Sequence, residues 1–132
     1  MNKRILVIED DRTLRKACET GLAKRGFVVL TTSNGIEGIQ QAEAFLPDLI
    51  LLDMRMPKLT GAETLAALKQ NDKTRTIPVV ILSNSSSEAG IQKAETLGAA
   101  GYLVKASLSL SELGDRVAEF LENVEEPGCV VS

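Results

Sequence analysis

Five short apolar runs, each followed by a stretch of helical spacing, constrain this chain more than any other feature. Ile5-Leu6-Val7-Ile8 is the first run, and residues 12–25 then set Leu14, Ala17, Cys18, Gly21 and Leu22 at helical spacing. Gly26 punctuates, and residues 27–32 read as a second strand. Asn34 with Glu37 has the form of a helix start, Asn34 being the N-cap, and that helix runs to Phe45 before a turn at Pro47-Asp48. Residues 49–52 are a third strand ending in Asp53. Pro57 to Gly61 reads as a loop, and Leu65 and Leu68 mark a helix over 62–71. Pro78 opens the fourth strand, 79–82, which runs into the polar stretch from Ser83 to Ser87. Ile91, Ala94 and Leu97 outline a weaker helix closed by Gly98, and residues 101–104 are the fifth strand. Ser109 and Glu112 form a capping box for the last helix. Its apolar stripe is Leu110, Leu113, Val117, Phe120, Leu121 and Val124.

Strands alternating with helices in this way predict an α/β fold, a doubly wound five-stranded parallel sheet with helices on both faces. Right-handed crossovers put every strand's C-terminal end on one edge, where such sheets bind ligands. At 132 residues the chain has room for one domain, placed at 1–124, with 125–132 as a short tail.

Composition narrows the chemistry. Histidine is absent, which removes Ser/His/Asp triads, Cys/His dyads and His-ligated zinc. Cys18 falls in a helical pattern and reads as a small core residue, while Cys129 lies in the polar tail, so no disulfide framework is expected. The net charge of -3 argues against a broad basic footprint for nucleic acid. No apolar run approaches the roughly 20 residues of a membrane span, so a cytoplasmic location is expected, with no direct contact to membrane. Cys129-Val-Val-Ser132 has the form of a prenylation box, but Glu125 and Glu126 precede it in place of a basic patch, and chance explains it better.

The residues that follow the strands carry the functional signal. Glu9, Asp10 and Asp11 follow the first strand, Asp53 the third, Ser83 the fourth and Lys105 the fifth. Taken singly, each has an ordinary explanation: Asp11 as a helix N-cap, Ser83 as a turn residue, Lys105 as a solvated charge, Tyr102 as packing. Together they put carboxylates, a hydroxyl and a cation on one sheet edge. Clustered carboxylates repel unless a cation compensates, and a hard divalent ion such as Mg²⁺ takes oxygen donors of this kind. The set suits phosphoryl transfer, where positioning and charge neutralisation dominate.

At this point the chain resembles the receiver domain of bacterial two-component response regulators, over about residues 3–124. Ile5-Leu-Val-Ile-Glu-Asp-Asp11 is similar to the family's first-strand acidic motif. The segment from Pro47 through Asp53 to Pro57, with Gly61 after it, resembles the phosphoacceptor segment. Ser83 matches the family's Thr or Ser, and Tyr102-Leu-Val-Lys105 its aromatic-x-x-Lys element. The resemblance implies a flavodoxin-like fold with strand order 2-1-3-4-5. It implies that Asp53 takes a phosphoryl group from a phosphohistidine on a histidine kinase or histidine phosphotransfer protein. Asp10, Asp53 and the backbone carbonyl of Arg55 would hold Mg²⁺, or Mn²⁺ in its place, with Glu9 acting through water. Lys105 and Ser83 would contact phosphoryl oxygens. Ser83 and Tyr102 would act as the switch, altering a face made by the fourth helix, fifth strand and fifth helix that meets a downstream output protein.

Two positions depart from the family pattern. Ala106 follows Lys105 where Pro is usual, in a cis peptide. A cis bond costs about 2.5–4 kcal/mol before a non-proline residue and about 0.5–1 before proline. Either that strain is tolerated, or the loop is trans and Lys105 is aimed differently. Asn84 stands where the family has a small residue. Two other functions fit parts of the pattern: a non-switching interaction module, which Ala106 favours, and a Mg²⁺-dependent phosphatase with an aspartyl nucleophile. The second is disfavoured because Arg55 occupies the position where such phosphatases place a second Asp.

Overall fold

The computed structural model describes residues 3–54, 59–83, 92–93, 95–104 and 109–125. Five parallel strands form one sheet in the order β2-β1-β3-β4-β5. They are β1 (Arg4–Ile8), β2 (Val28–Thr32), β3 (Leu49–Asp53), β4 (Val79–Ser83) and β5 (Gly101–Val104). Helices α1 (Arg12–Lys24), α2 (Gly35–Phe45) and α3 (Gly61–Gln70) connect the first four strands, and a C-terminal helix spans Leu110–Glu125. Residues 92, 93, 95 and 96 are also helical, where the weaker helix is expected, but Ile91 and Ala94 of its stripe lie outside the described residues. The second strand starts one residue later than the sequence suggests, and α3 begins at Gly61 inside the expected loop.

The unbroken apolar strands have a direct cause. Side chains alternate between the two faces of a strand, and here both faces are covered. Ile5, Val7, Leu49, Leu51, Val80 and Leu82 pack with Cys18 and Leu22 of α1 and with Leu113, Val117 and Leu121 of the C-terminal helix. Leu6, Ile8, Ile50, Leu52, Val79 and Ile81 pack on the other side with Ala42 of α2 and with Leu65 and Leu68 of α3. Phe120 packs against the first cluster, while the side chains of Leu110 and Val124 lie outside the described ones. Cys18 is fully buried, as its helical spacing suggests.

The helix starts follow their caps. Asp11 Oδ1 accepts the N–H groups of Thr13 and Leu14 at 3.0 and 3.2 Å. Asn34 Oδ1 accepts from Glu37 N–H at 2.9 Å. Ser109 and Glu112 close the expected box, with Ser109 N–H donating to Glu112 Oε1 at 3.1 Å and Glu112 N–H to Ser109 Oγ at 3.2 Å. A further box, within a stretch whose Pro57 and Gly61 suggest a loop, opens α3. Thr60 Oγ1 accepts Glu63 N–H at 3.1 Å, and Glu63 Oε1 accepts Thr60 N–H at 3.0 Å.

The Thr60 backbone and then its side chain hold the Glu63 carboxyl below its ordinary value. A carboxyl lowered by folding stabilises above its unfolded pKa and loses that contribution as pH falls through the folded one. Glu63→Gln should therefore melt below the parent at neutral pH, and thermal melts should converge once the pH is below the carboxylate range. A gap that persists unchanged in acid would contradict this.

Candidate functional site

The strand register brings the predicted residues to one level. Ile8 pairs with Leu52, so Glu9 stands beside Asp53. Asp53 pairs with Leu82, which puts Ser83 one step further along the same edge, paired with Val104. Glu9 still belongs to the ladder through its N–H, which donates to Thr32 O at 3.1 Å. By alternation Glu9 continues the row of Ile5 and Val7, and Asp53 the row of Leu49 and Leu51. Two carboxylates on neighbouring central strands thus share a face.

Glu9, Asp10 and Asp53 each offer a carboxylate oxygen within 4.8 Å of the others. Glu9 is 1% exposed and Asp53 5%, whereas Asp10 is exposed. Asp11 does not join them, because its carboxylate caps α1. Oxygen donors, high negative charge and partial burial are what a hard divalent cation requires, so the residues present fit Mg²⁺. Ser83 is half-buried. Tyr102 is half-buried as well, packs on the α2–α3 side of the sheet and pairs with Ile81. Ser83, two residues after Ile81, shares that side by alternation. Arg55, Lys105, Asn84 and Ala106 lie outside the described residues.

Gly61 approaches the end of β3 closely, backbone to backbone. Gly61 N–H donates to Met54 O at 3.2 Å. A Cβ on Gly61 would lie 2.5 Å from both Asp53 O and Met54 Cα. Glycine at this position lets α3 begin directly against the acidic edge. One contact to the site had no sequence signal: Arg15 of α1 donates from Nη1 to the carbonyl oxygens of Glu9 and Asp10, at 3.0 and 3.4 Å.

Fold and site together define a doubly wound α/β domain of flavodoxin-like topology with a carboxylate cluster at its ligand-binding edge. Residues 5–118 match the family described as the response regulator receiver domain. The alkaline phosphatase synthesis transcriptional regulatory protein PhoP of Bacillus subtilis is 34% identical over 125 residues, covering 95% of this chain and 51% of PhoP. Protein PilG of Pseudomonas aeruginosa is 32% identical over 102 residues, covering 77% of this chain and 76% of PilG. The chemotaxis protein CheY4 of Vibrio cholerae superposes with a TM-score of 0.85 at 25% identity, covering 91% of this chain and 99% of that structure. The chain belongs to the response regulator receiver domain family, the signalling module of two-component systems. It spans about half the length of the transcriptional regulators it matches, as with the 51% of PhoP. No described helix is long and apolar enough to cross a membrane.

Proposed function

We propose that Asp53 accepts a phosphoryl group from a phosphohistidine on a histidine kinase or histidine phosphotransfer protein, with Mg²⁺ at the acidic cluster. The modified chain then signals by protein contact. The observation that carries this reading is the juxtaposition of the buried Asp53 carboxylate with those of Glu9 and Asp10, within 4.8 Å, in a chain of this family.

Asp53 suits the nucleophile's part best. It is the last residue of a strand paired on both sides, so its backbone is fixed by the sheet. Glu9 is engaged through Oε2, which accepts Asp11 N–H at 3.1 Å. Asp10 is the exposed member, able to meet an ion arriving from solvent. A carboxylate oxygen of Asp53 would form the new O–P bond as the P–N bond of the phosphohistidine breaks. Asp10, Asp53 and the carbonyl of Arg55 would hold Mg²⁺, with Glu9 behind them. The ion supplies charge neutralisation for the phosphoryl oxygens. Ser83 would donate a hydrogen bond to one phosphoryl oxygen, and Lys105 would pair with another. Differential contact of Ser83 with the modified and unmodified states is what would shift Tyr102 and its surroundings. Tyr102 lines a recess of about 300 Å³ with Leu103, Arg116, Glu119 and Phe120, a location suited to an output partner that reads the change.

Acetyl phosphate with Mg²⁺ tests the reading. The chain should gain the mass of one phosphoryl group, and should gain nothing when Mg²⁺ is chelated. No gain under conditions that label a control receiver would instead support a non-switching interaction module.

Asp10→Asn should separate metal from fold. Removing one of three clustered charges should raise the melting temperature of the metal-free chain, by an amount on the order of 1 kcal/mol. The same change should abolish the further rise that Mg²⁺ gives the parent. Thermal melts with and without Mg²⁺ measure both, and an undiminished Mg²⁺ response would contradict the ligand assignment.

A further inference from the structure

We infer that Arg15 is a positioning residue for Asp10, acting by holding the turn between β1 and α1 through its backbone carbonyls. This rests on the metal reading above. Arg15 Nη1 donates to Glu9 O at 3.0 Å and to Asp10 O at 3.4 Å. The helix makes this reach available. Arg15 is the fourth residue of α1, and helical side chains tilt toward the helix N-terminus, so a long one returns over the preceding turn. Its own backbone is fixed separately, by Arg15 N–H donating to Asp11 O at 2.8 Å.

The rest of the turn is pinned on its other side. Glu9 N–H is held by Thr32 O, Asp11 N–H by Glu9 Oε2, and the Asp11 carboxylate by the N–H groups it caps. What those bonds do not reach is the carbonyl side at residues 9 and 10, and Arg15 covers it. Among the described residues no hydrogen bond orients the Asp10 carboxylate itself. Its direction therefore depends on the backbone that carries it. Among the same residues no ion pair joins Arg15 to the three carboxylates, so its effect passes through the peptide groups.

Two effects oppose each other when Arg15 is removed. Losing a nearby positive charge favours cation binding, while losing the brace releases the ligand. The second effect is the larger. Residues that orient metal ligands from behind typically change metal affinity about 10–100-fold. For Arg15→Ala we expect the Mg²⁺ dissociation constant to rise about 10-fold, the lower end of that range. Arg15→Lys, which keeps a charge and a donor on a shorter stem, should recover part of the loss. Arg12→Ala is the charge control: Arg12 is exposed in the same helical turn and makes no bond to the turn's carbonyls. It should leave Mg²⁺ affinity unchanged or slightly tighter.

Calorimetric Mg²⁺ titration of each folded variant, with urea melts alongside, reads the result. A purely structural Arg15 would lower the melt and leave the dissociation constant of the folded protein unmoved, which would overturn the assignment. Tighter binding in Arg15→Ala would overturn it too, showing charge to be the larger effect. Absence of Mg²⁺ binding in the parent chain would overturn the metal reading itself, and this assignment with it.

Discussion

Asp53→Asn should take up no phosphoryl group from acetyl phosphate and Mg²⁺, under conditions where the parent chain is expected to be fully labelled. The amide is nearly isosteric with the carboxylate, so β3 keeps its pairing with Leu82 and the packing of Leu51 and Leu52 behind it. What is lost is the anionic oxygen that would attack phosphorus, and neither neighbouring acid can replace it. Glu9 is buried and bonded to the turn, and Asp10 belongs to a different strand end. Asp11→Asn supplies the contrast. Its side chain caps α1, and Asn is as good an N-cap as Asp, so that variant should be labelled like the parent. Intact-mass measurement distinguishes the two, and parental labelling of Asp53→Asn would refute the assignment.

Gly61→Ala should damage both the fold and the site. The added methyl would lie 2.5 Å from Asp53 O and Met54 Cα, and neither backbone atom can swing aside as a side chain would. Overpacking of this kind costs about 1–3 kcal/mol. One of these atoms belongs to Asp53 and the other to its neighbour Met54, so Mg²⁺ affinity should fall together with stability. Gly114→Ala is the matched comparison in the C-terminal helix. There the new methyl meets Arg25 Cγ at 2.8 Å, part of a flexible chain that can move. The gain in helix propensity, about 0.8–1 kcal/mol, offsets that contact, so little net change is expected. Urea denaturation and Mg²⁺ titration of the two variants measure the difference. Parental stability and metal affinity in Gly61→Ala would show that the loop accommodates the methyl.

The parts legible in the sequence are those set by local chemistry and strict period. The fully apolar strands predicted a sheet covered on both faces, and the two packed clusters divide β1, β3 and β4 residue by residue in that way. Glu9, Asp10 and Asp53 were legible as a group because parallel strands must end on one edge. Asp11, Asn34 and Ser109 announced their caps.

The parts not legible depend on backbone meeting backbone or on contacts across the chain. Leu46 closes α2 in the left-handed region, at φ 48°, although leucine has no preference for it. Pro47 disfavours the helical conformation for the residue before it, and Arg4 Nη2 holds Leu46 O at 3.1 Å from 42 residues away. Arg4 N–H likewise meets Asp48 Oδ2 at 2.8 Å. Thr60 and Glu63 do form the sequence pattern of a capping box, but Pro57 and Gly61 around them read as loop. The brace from Arg15 becomes visible only when the turn it spans has a shape.

Locating the phosphoryl group tests the central claim most directly. The parent chain, treated with acetyl phosphate and Mg²⁺, is digested and its peptides are mapped by mass. The account predicts one modified peptide, containing Asp53, and none when Mg²⁺ is chelated. A phosphoryl group on any other residue, or equal labelling without the metal, would contradict it.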